Sequence, residues 1–104
     1  MTKTYEKLIR DNIPNIIKNN NQTAKIRVLS DDEYRNALNQ KLHEEVNEYL
    51  SDNCIKEFCD ILEVLDAIKK TMEFSNDEIE RVKNDKALKN GKFDKKLFLE
   101  EVTD

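Results

Sequence analysis

The pattern of apolar and polar positions predicts two long helices in the middle of the chain. Apolar residues recur every three or four positions from Ser30 to about residue 50 and again over roughly 54–72, which is the spacing of one helix face. The two stripes consist of Leu38, Leu42, Val46 and Tyr49, and of Phe58, Ile61, Leu62, Leu65 and Ile68. Short loops between long helices favour antiparallel neighbours, so we expect a hairpin whose facing sides share one groove.

Local signals mark where the long helices begin and end. The sequences Ser-x-x-Glu at 30–33 and 75–78 are capping boxes, in which serine and glutamate satisfy the first free N–H groups of a helix. The second box opens a third long helix that runs to about Asn90. Gly91 then stands where a C′ glycine belongs. The turn between the first two helices is predicted at 51–53.

The N-terminal part of the chain predicts a short helix and one strand. Pro14 suits the first turn of a helix, with Asp11 or Asn12 as its cap, and the asparagine run 19–21 ends it. Residues 24–30 alternate lightly and are too short for a helix, so they are predicted to form a strand. We therefore expect one domain over 1–104 that is an all-α antiparallel bundle with minor β structure.

The C-terminal tail, KFDKKLFLEEV over residues 92–102, ends with an apolar cluster at Phe98 and Leu99. Two arrangements are open for it. It either pairs with the strand predicted at 25–29 or packs as a loop.

Acidic side chains lie on or beside the faces that should be buried. At about 100° per residue, Glu45 falls inside the first apolar stripe, Glu48 falls on its shoulder and Glu44 lies further out. On the next helix Glu57 falls within the apolar arc and Asp60 at its edge. Buried carboxylates in contact are unfavourable, so they are protonated, neutralised by basic partners or bound to a cation. Oxygen ligands alone favour Mg²⁺ or Mn²⁺. A solvated face with lysine pairs is the other interpretation.

Composition excludes several other classes of protein. A net charge of −4 and a pI near 5.1 argue against binding to nucleic acid or to an anionic membrane. The N-terminal sequence lacks the apolar middle of a signal peptide, so we expect a cytoplasmic protein. Cys54 and Cys59 are five residues apart, which is not a metal or redox spacing, and are expected to be free thiols. With His43 as the single histidine, a di-iron site with two Glu-x-x-His pairs is excluded.

The order of the acidic motifs resembles a known superfamily. EEVNE at 44–48 followed by EFCD at 57–60 resembles the MazG-like, all-α nucleoside triphosphate pyrophosphohydrolases. The segments YEKLIRDNIP (5–14), EFCDILEVLDAI (57–68) and KALKNGKFDKKLFL (86–99) look like its small stand-alone, house-cleaning branch, which is phosphoribosyl-ATP pyrophosphohydrolase-like. Only eight residues separate Glu48 from Glu57, fewer than in most of the superfamily. The hairpin must therefore be tight.

The resemblance implies a reaction and a set of site residues. A nucleoside triphosphate and water would give the monophosphate and pyrophosphate, with Mg²⁺ as cofactor and Mn²⁺ as a substitute. The implied metal ligands are Glu45, Glu48, Glu57 and Asp60. Glu44 and Glu45 are the implied catalytic residues, with Glu44 binding a second ion or orienting the attacking water. Members of the superfamily form dimers or tetramers, so a homodimer or homotetramer is expected.

A triphosphate also needs basic partners. The candidates are Lys7 and Arg10 near the N-terminus and Lys83 and Lys86 late in the third long helix. Arg10 and Lys86 stand in segments that resemble the family and are favoured. Two other functions stay open: a non-enzymatic helical module for protein interaction or regulation, and a pyrophosphohydrolase that acts on a phosphoribosyl-nucleotide.

Overall fold

The computed structural model describes residues 1–104 and contains only helices as regular secondary structure. They are, in chain order, α1 (Ile13–Asn19), α2 (Asp31–Ser51), α3 (Ile55–Thr71) and α4 (Asn76–Asn90). The fold is therefore all-α, with the three long helices and the short N-terminal helix that the sequence predicts. Residues 91–104 contain neither a helix nor a strand.

The strand predicted at 24–30, and with it the minor β structure, is wrong. These residues form no helix or strand, and Ile26 and Val28 are both exposed. The alternation of two apolar residues was too short to distinguish a strand from an extended connection. No other segment of the chain forms a strand to pair with it, and an unpaired strand leaves its backbone groups unsatisfied.

The predicted helix caps are found in full at α2 and in part at α4. Ser30 and Glu33 form the complete box, because each side chain accepts a hydrogen bond from the backbone N–H of the other, both at 3.3 Å. At α4, the Ser75 hydroxyl accepts from the N–H of Glu78 at 3.1 Å, which is half of the predicted box. Gly91 ends α4 with a φ of 82°, a conformation that glycine adopts without strain.

The short helix α1 begins at the predicted place but without a side-chain cap. Asn12 is the N-cap residue, yet its side chain makes no capping hydrogen bond. Pro14 lies in the first turn, where its missing N–H has no partner to lose. The helix ends within the asparagine run, as predicted, and Asn21 adopts a left-handed φ of 60°.

The chain divides into two compact units, Met1–Thr71 and Met72–Asp104. The first contains α1, α2 and α3, and the second contains α4 and the C-terminal tail. That both belong to one domain stays a prediction. None of the helices combines the length and the apolar content that crossing a membrane requires.

In the first unit, α2 and α3 pack together as the predicted antiparallel hairpin. The chain reverses over residues 52–54, where the Asn53 side chain donates a hydrogen bond to the Tyr49 carbonyl at 2.6 Å. Tyr49 before this turn and Phe58 after it contact each other, with their ring centroids 6.0 Å apart. The tight turn and the aromatic contact fix the register in which the two helices face each other.

The centre of the hairpin is small and includes a charged residue. Leu38 and Val64 are the buried apolar side chains, at 3% and 8% exposed, and Glu45 is the third buried residue, at 6%. Burying two aliphatic side chains stabilises a fold by only about 3–6 kcal/mol. A carboxylate in so small a core is therefore a significant unfavourable contribution.

The buried face of α3 is rotated relative to the predicted stripe. Leu62 and Leu65 were expected to face α2 but are 44% and 43% exposed, and Phe58 is 47% exposed although its ring contacts Tyr49 of α2, whereas Val64 is buried. The apolar arc of α3 is wider than its contact with α2, and the helix uses the edge of that arc that also carries Glu57 and Asp60. This rotation places the acids of α3 within the helix contact, and it leaves the other apolar edge open.

Candidate metal centre

Four carboxylates converge between α2 and α3. Glu45 and Glu48 on α2, and Glu57 and Asp60 on α3, each place one oxygen within 4.8 Å of the other three. Both pairs have the spacing i, i+3, which puts two side chains on neighbouring positions of one helix face. The antiparallel hairpin then brings the two pairs to the same level. These are the four residues for which the family resemblance implies metal binding.

Burial differs among the four residues and leaves two oxygens without partners. Glu45 is buried, Glu57 and Asp60 are half-buried, and Glu48 is exposed. The Oε2 atoms of Glu45 and Glu57 are shielded from solvent and accept no hydrogen bond. Leaving a buried polar atom unsatisfied costs about 1–3 kcal/mol, and more when the group is charged. A bound cation would satisfy both oxygens at once.

The surroundings of Glu45 disfavour its charged form. Burial is the main reason that its pKa is raised above the ordinary value of 4.5, and the charge of Glu48 raises it further. Lys41 acts in the opposite direction by stabilising the carboxylate. The net increase shows that the protein's own cations do not fully compensate for placing this group in the core.

Two basic residues contact the acidic cluster, one from within α2 and one from the N-terminal segment. Lys41 Nζ lies 3.4 Å from Glu45 Oε1 and 3.6 Å from Glu44 Oε1. Arg10, which was predicted to bind substrate, donates from Nη2 to Asp60 Oδ1 at 2.9 Å. Lys41 was not among the predicted site residues, although its spacing of three and four residues from the two glutamates is the signal for a helical ion pair.

The donor set suits a small divalent cation. Carboxylate oxygens are hard ligands of the kind that Mg²⁺ and Mn²⁺ prefer. With metal–oxygen bonds of about 2.1 Å, two oxygens on opposite sides of a Mg²⁺ lie about 4.2 Å apart. The four oxygens, all within 4.8 Å of one another, therefore need only small side-chain movements to bind one ion. The residues present thus fit the cofactor that the resemblance implies.

Some predicted site residues lie outside this cluster. Glu44 is not one of the four converging carboxylates and pairs with Lys41 on the edge of α2. Lys7 places its Nζ 5.7 Å from the centre of the Tyr5 ring. Lys83 and Lys86 are exposed on α4, in the second unit. Their binding of substrate stays a prediction.

A groove beside α1 does not belong to the acidic cluster. It has a volume of about 310 Å³, is open to solvent and is lined by Pro14, Lys18, Gln22, Thr23, Ala24 and Ile26. Lys18 is its single charged side chain, and no carboxylate reaches it. The groove therefore contains none of the four converging carboxylates.

Comparison with known proteins gives one relative and no assigned activity. An uncharacterized protein of Mycolicibacterium smegmatis is 56% identical to this chain over 41 residues. Those residues are 39% of this chain and 42% of the relative, so the match covers less than half of either protein. No family model matches the chain, and no solved structure matches it.

Proposed function

We propose that the protein is a Mg²⁺-dependent nucleotide pyrophosphohydrolase that converts a nucleoside triphosphate and water into the monophosphate and pyrophosphate. The observation that carries this proposal is the buried Glu45 oxygen that has no partner within a cluster of four carboxylates. A structural role would be better served by an apolar residue or a paired one. A cation site explains the acids, and the cation explains how an acidic protein binds a polyanion.

Different residues would bind the cation, bind the phosphate and accept the proton of water. Glu45, Glu48, Glu57 and Asp60 would hold Mg²⁺, which, when bound, neutralises phosphate charge and makes a bound water more acidic. Arg10, which pairs with Asp60 at the edge of the cluster, would bind a phosphate oxygen, since guanidinium groups match that geometry. Glu44 is half-exposed beside the cluster and would orient the water and accept its proton. Water thereby adds across the bond between the α- and β-phosphates.

The setting of this reaction follows from its chemistry. We expect the protein to act in the cytoplasm, where nucleotides and Mg²⁺ are present and where Cys54 and Cys59, both unpaired in the structure, remain reduced. We also expect a homodimer or homotetramer. Phe58, Leu62 and Leu65 are about half exposed along α3, and the buried core of the hairpin is small.

The decisive assay is a panel of standard and damaged nucleoside triphosphates and a phosphoribosyl-nucleotide, with pyrophosphate release measured in Mg²⁺ and in a chelator. We expect turnover in Mg²⁺ and none in the chelator. The turnover rate should fall about 1000-fold in Glu45→Gln and in Asp60→Asn, because the cation provides several kcal/mol of transition-state stabilisation. Glu63→Gln is the matched control, since Glu63 is an exposed acid of α3 outside the cluster. Absence of metal-dependent turnover on every compound would overturn the proposal.

A second function is favoured by a different observation. The exposed apolar edge of α3 would also suit a non-enzymatic module that binds another protein. That function predicts no response to Mg²⁺ and no effect of Glu45→Gln on partner binding. Leu62→Lys would then abolish binding of the partner, whereas Glu63→Gln would not. Glu45→Gln and Leu62→Lys therefore separate the functions when each is measured for turnover and for association, with Glu63→Gln as the control of both.

A further inference from the structure

The N-terminal segment reaches the acidic cluster through a single side chain. Arg10 Nη2 donates to Asp60 Oδ1 at 2.9 Å, although the two residues are 50 positions apart in the sequence. Arg10 precedes α1 and belongs to neither a helix nor a strand. Its partner is one of the four converging carboxylates. The guanidinium thus holds a carboxylate that a cation at this centre would also use.

We propose that Arg10 is an anion-binding residue that becomes available when a divalent cation binds Asp60. The cation and the guanidinium compete for the same carboxylate, and the displaced Arg10 then binds a phosphate oxygen of the ligand. This inference rests on the proposed function, because it takes the four carboxylates as the cation site. It adds that cation binding and phosphate binding are coupled through one side chain.

Exposure makes the exchange feasible. The Arg10 and Asp60 side chains are 59% and 31% exposed, and an ion pair so open to solvent contributes little to stability. A divalent cation held by three further carboxylates interacts with Asp60 more strongly than one solvated guanidinium does. Released Arg10 remains tethered at the edge of the cluster. It can then offer two parallel N–H donors to a phosphate.

Lys41 shows what makes Arg10 suitable for this role. Both residues neutralise acids of the same region, but Lys41 lies on α2 with both of its partners, three and four positions away, and is only 19% exposed. A side chain so placed stays beside Glu44 and Glu45. Arg10 comes from an irregular segment and is exposed, so its guanidinium can turn from protein to ligand. Arginine is also the residue with the planar fork that phosphate recognition uses.

The proposal predicts effects of opposite sign in one variant. In Arg10→Gln, Mn²⁺ alone should bind about threefold more tightly, since its competitor at Asp60 is gone. Pyrophosphate, titrated in saturating Mn²⁺, should bind about tenfold more weakly, since a charged hydrogen-bond donor is lost. Arg10→Lys keeps the charge but not the fork, so it should restore the Mn²⁺ affinity of the wild type more fully than its pyrophosphate affinity. Arg35→Gln removes an exposed guanidinium that pairs with Asp32, also at 2.9 Å, and should change neither affinity.

A spectroscopic measurement distinguishes displacement from a general effect of charge. The Nε–H signal of Arg10 in a ¹H–¹⁵N spectrum should shift on addition of Mg²⁺ alone and shift again on addition of pyrophosphate, and the Arg35 signal should not. If the wild type binds Mn²⁺ but the Arg10 signal does not respond to Mg²⁺, or Arg10→Gln leaves the Mn²⁺ affinity unchanged, the inference is overturned and the cation site stands. If the wild type binds no Mn²⁺, the inference and the proposed function fall together.

Discussion

Two of the four glutamates of helix α2 are in opposite situations, Glu33 at the start of the helix and Glu45 in its middle. Glu33 accepts hydrogen bonds from Ser30 and from Arg27, the latter at 3.0 Å from Nη2 to Oε2. These partners lower the pKa of Glu33 from 4.5 to about 2, with the hydrogen bond from Arg27 as the largest cause. Glu45 has Lys41 at 3.4 Å, retains a buried oxygen without a partner, and has a raised pKa.

The contrast separates a carboxylate that stabilises the fold from one that the fold merely accommodates. Glu33 contributes to helix initiation through its capping box with Ser30, and its second oxygen pairs with Arg27. Glu45 occupies one of three buried positions in the chain, and its surroundings disfavour its charged state. Ionisable groups whose surroundings shift them in the unfavourable direction concentrate at functional sites. The comparison thus identifies the middle of α2, and not its start, as the place where chemistry is expected.

The largest expected effect concerns cation affinity. Glu45→Gln should weaken Mn²⁺ binding by more than about 100-fold, because it removes the most buried of the four carboxylates. Mutating a residue that only hydrogen-bonds a metal ligand already lowers metal affinity by about 10–100-fold. Glu33→Gln should leave the Mn²⁺ affinity unchanged, since Glu33 belongs to the capping box and not to the cluster. Isothermal titration calorimetry with Mn²⁺ measures both affinities. Equal affinities for Glu45→Gln and the wild type would remove the functional side of the comparison.

Stability should change with opposite sign in the two regions. In a chelator, Glu45→Gln should raise the free energy of unfolding by about 1 kcal/mol, because it removes a buried charge and its repulsion with Glu48. Ser30→Ala should lower it by about 1 kcal/mol through loss of the helix cap. Urea denaturation followed by circular dichroism measures both. A destabilised Glu45→Gln protein would mean that Glu45 contributes to the fold in the way that Glu33 does.

Local sequence signals predicted the helices well because each helix contains its own determinants. The capping box at 30–33 and the glycine at 91 lie within a few residues of the helix ends that they mark. The prediction of a strand at 24–30 was wrong because a strand, unlike a helix, does not contain all of its own determinants. A strand depends on a distant partner, and a seven-residue alternation carries no information on whether a partner exists.

The candidate site was predictable in its residues but not in its environment. Helical spacing placed the carboxylates of both helices on or beside the buried faces, and the hairpin brings four of them together. The sequence did not reveal that Phe58, Leu62 and Leu65 stay about half exposed while Val64 is buried, since the part of the apolar arc that is used depends on how the two helices pack. It also did not reveal the contact between Arg10 and Asp60, because 50 residues separate them.

A smaller effect distinguishes the two adjacent glutamates in the middle of α2. Glu44→Gln should change Mn²⁺ affinity by less than about fivefold, since Glu44 lies outside the cluster and pairs with Lys41 at 3.6 Å instead of with the converging carboxylates. It should still reduce turnover if Glu44 accepts the proton of water. Glu48→Gln, which removes a member of the cluster, should weaken Mn²⁺ binding by about tenfold or more. A loss of Mn²⁺ affinity in Glu44→Gln as large as the loss expected for Glu48→Gln would place Glu44 among the ligands, and a Glu48→Gln variant with wild-type affinity would remove Glu48 from them.

The smallest effect is the dependence of stability on pH in a chelator. The pKa of folded Glu45 lies above its unfolded value of 4.5, so its ionisation destabilises the protein, and this contribution is relieved as pH falls through the raised pKa. The pKa of folded Glu33, about 2, lies below 4.5, so its stabilising contribution is complete above pH 4.5 and is lost as pH falls toward 2. These two groups therefore predict stability that rises as pH falls through the raised pKa of Glu45 toward 4.5 and that falls below about pH 4.5.

Substitutions of Glu45 and Glu33 test which residue causes the rise in stability above pH 4.5 (the rising limb) and which causes the fall below it (the acid limb). Thermal unfolding recorded between pH 7 and pH 3 should lose its rising limb in Glu45→Gln, because glutamine does not titrate, while the acid limb remains. Glu33→Gln should have the converse effect, a weaker fall below pH 4.5 with the rise intact, since the lowered pKa of Glu33 contributes only to the acid limb. A rising limb that survives in Glu45→Gln would show that another group disfavours its charge in the folded protein, and would move the functional side of the comparison away from Glu45.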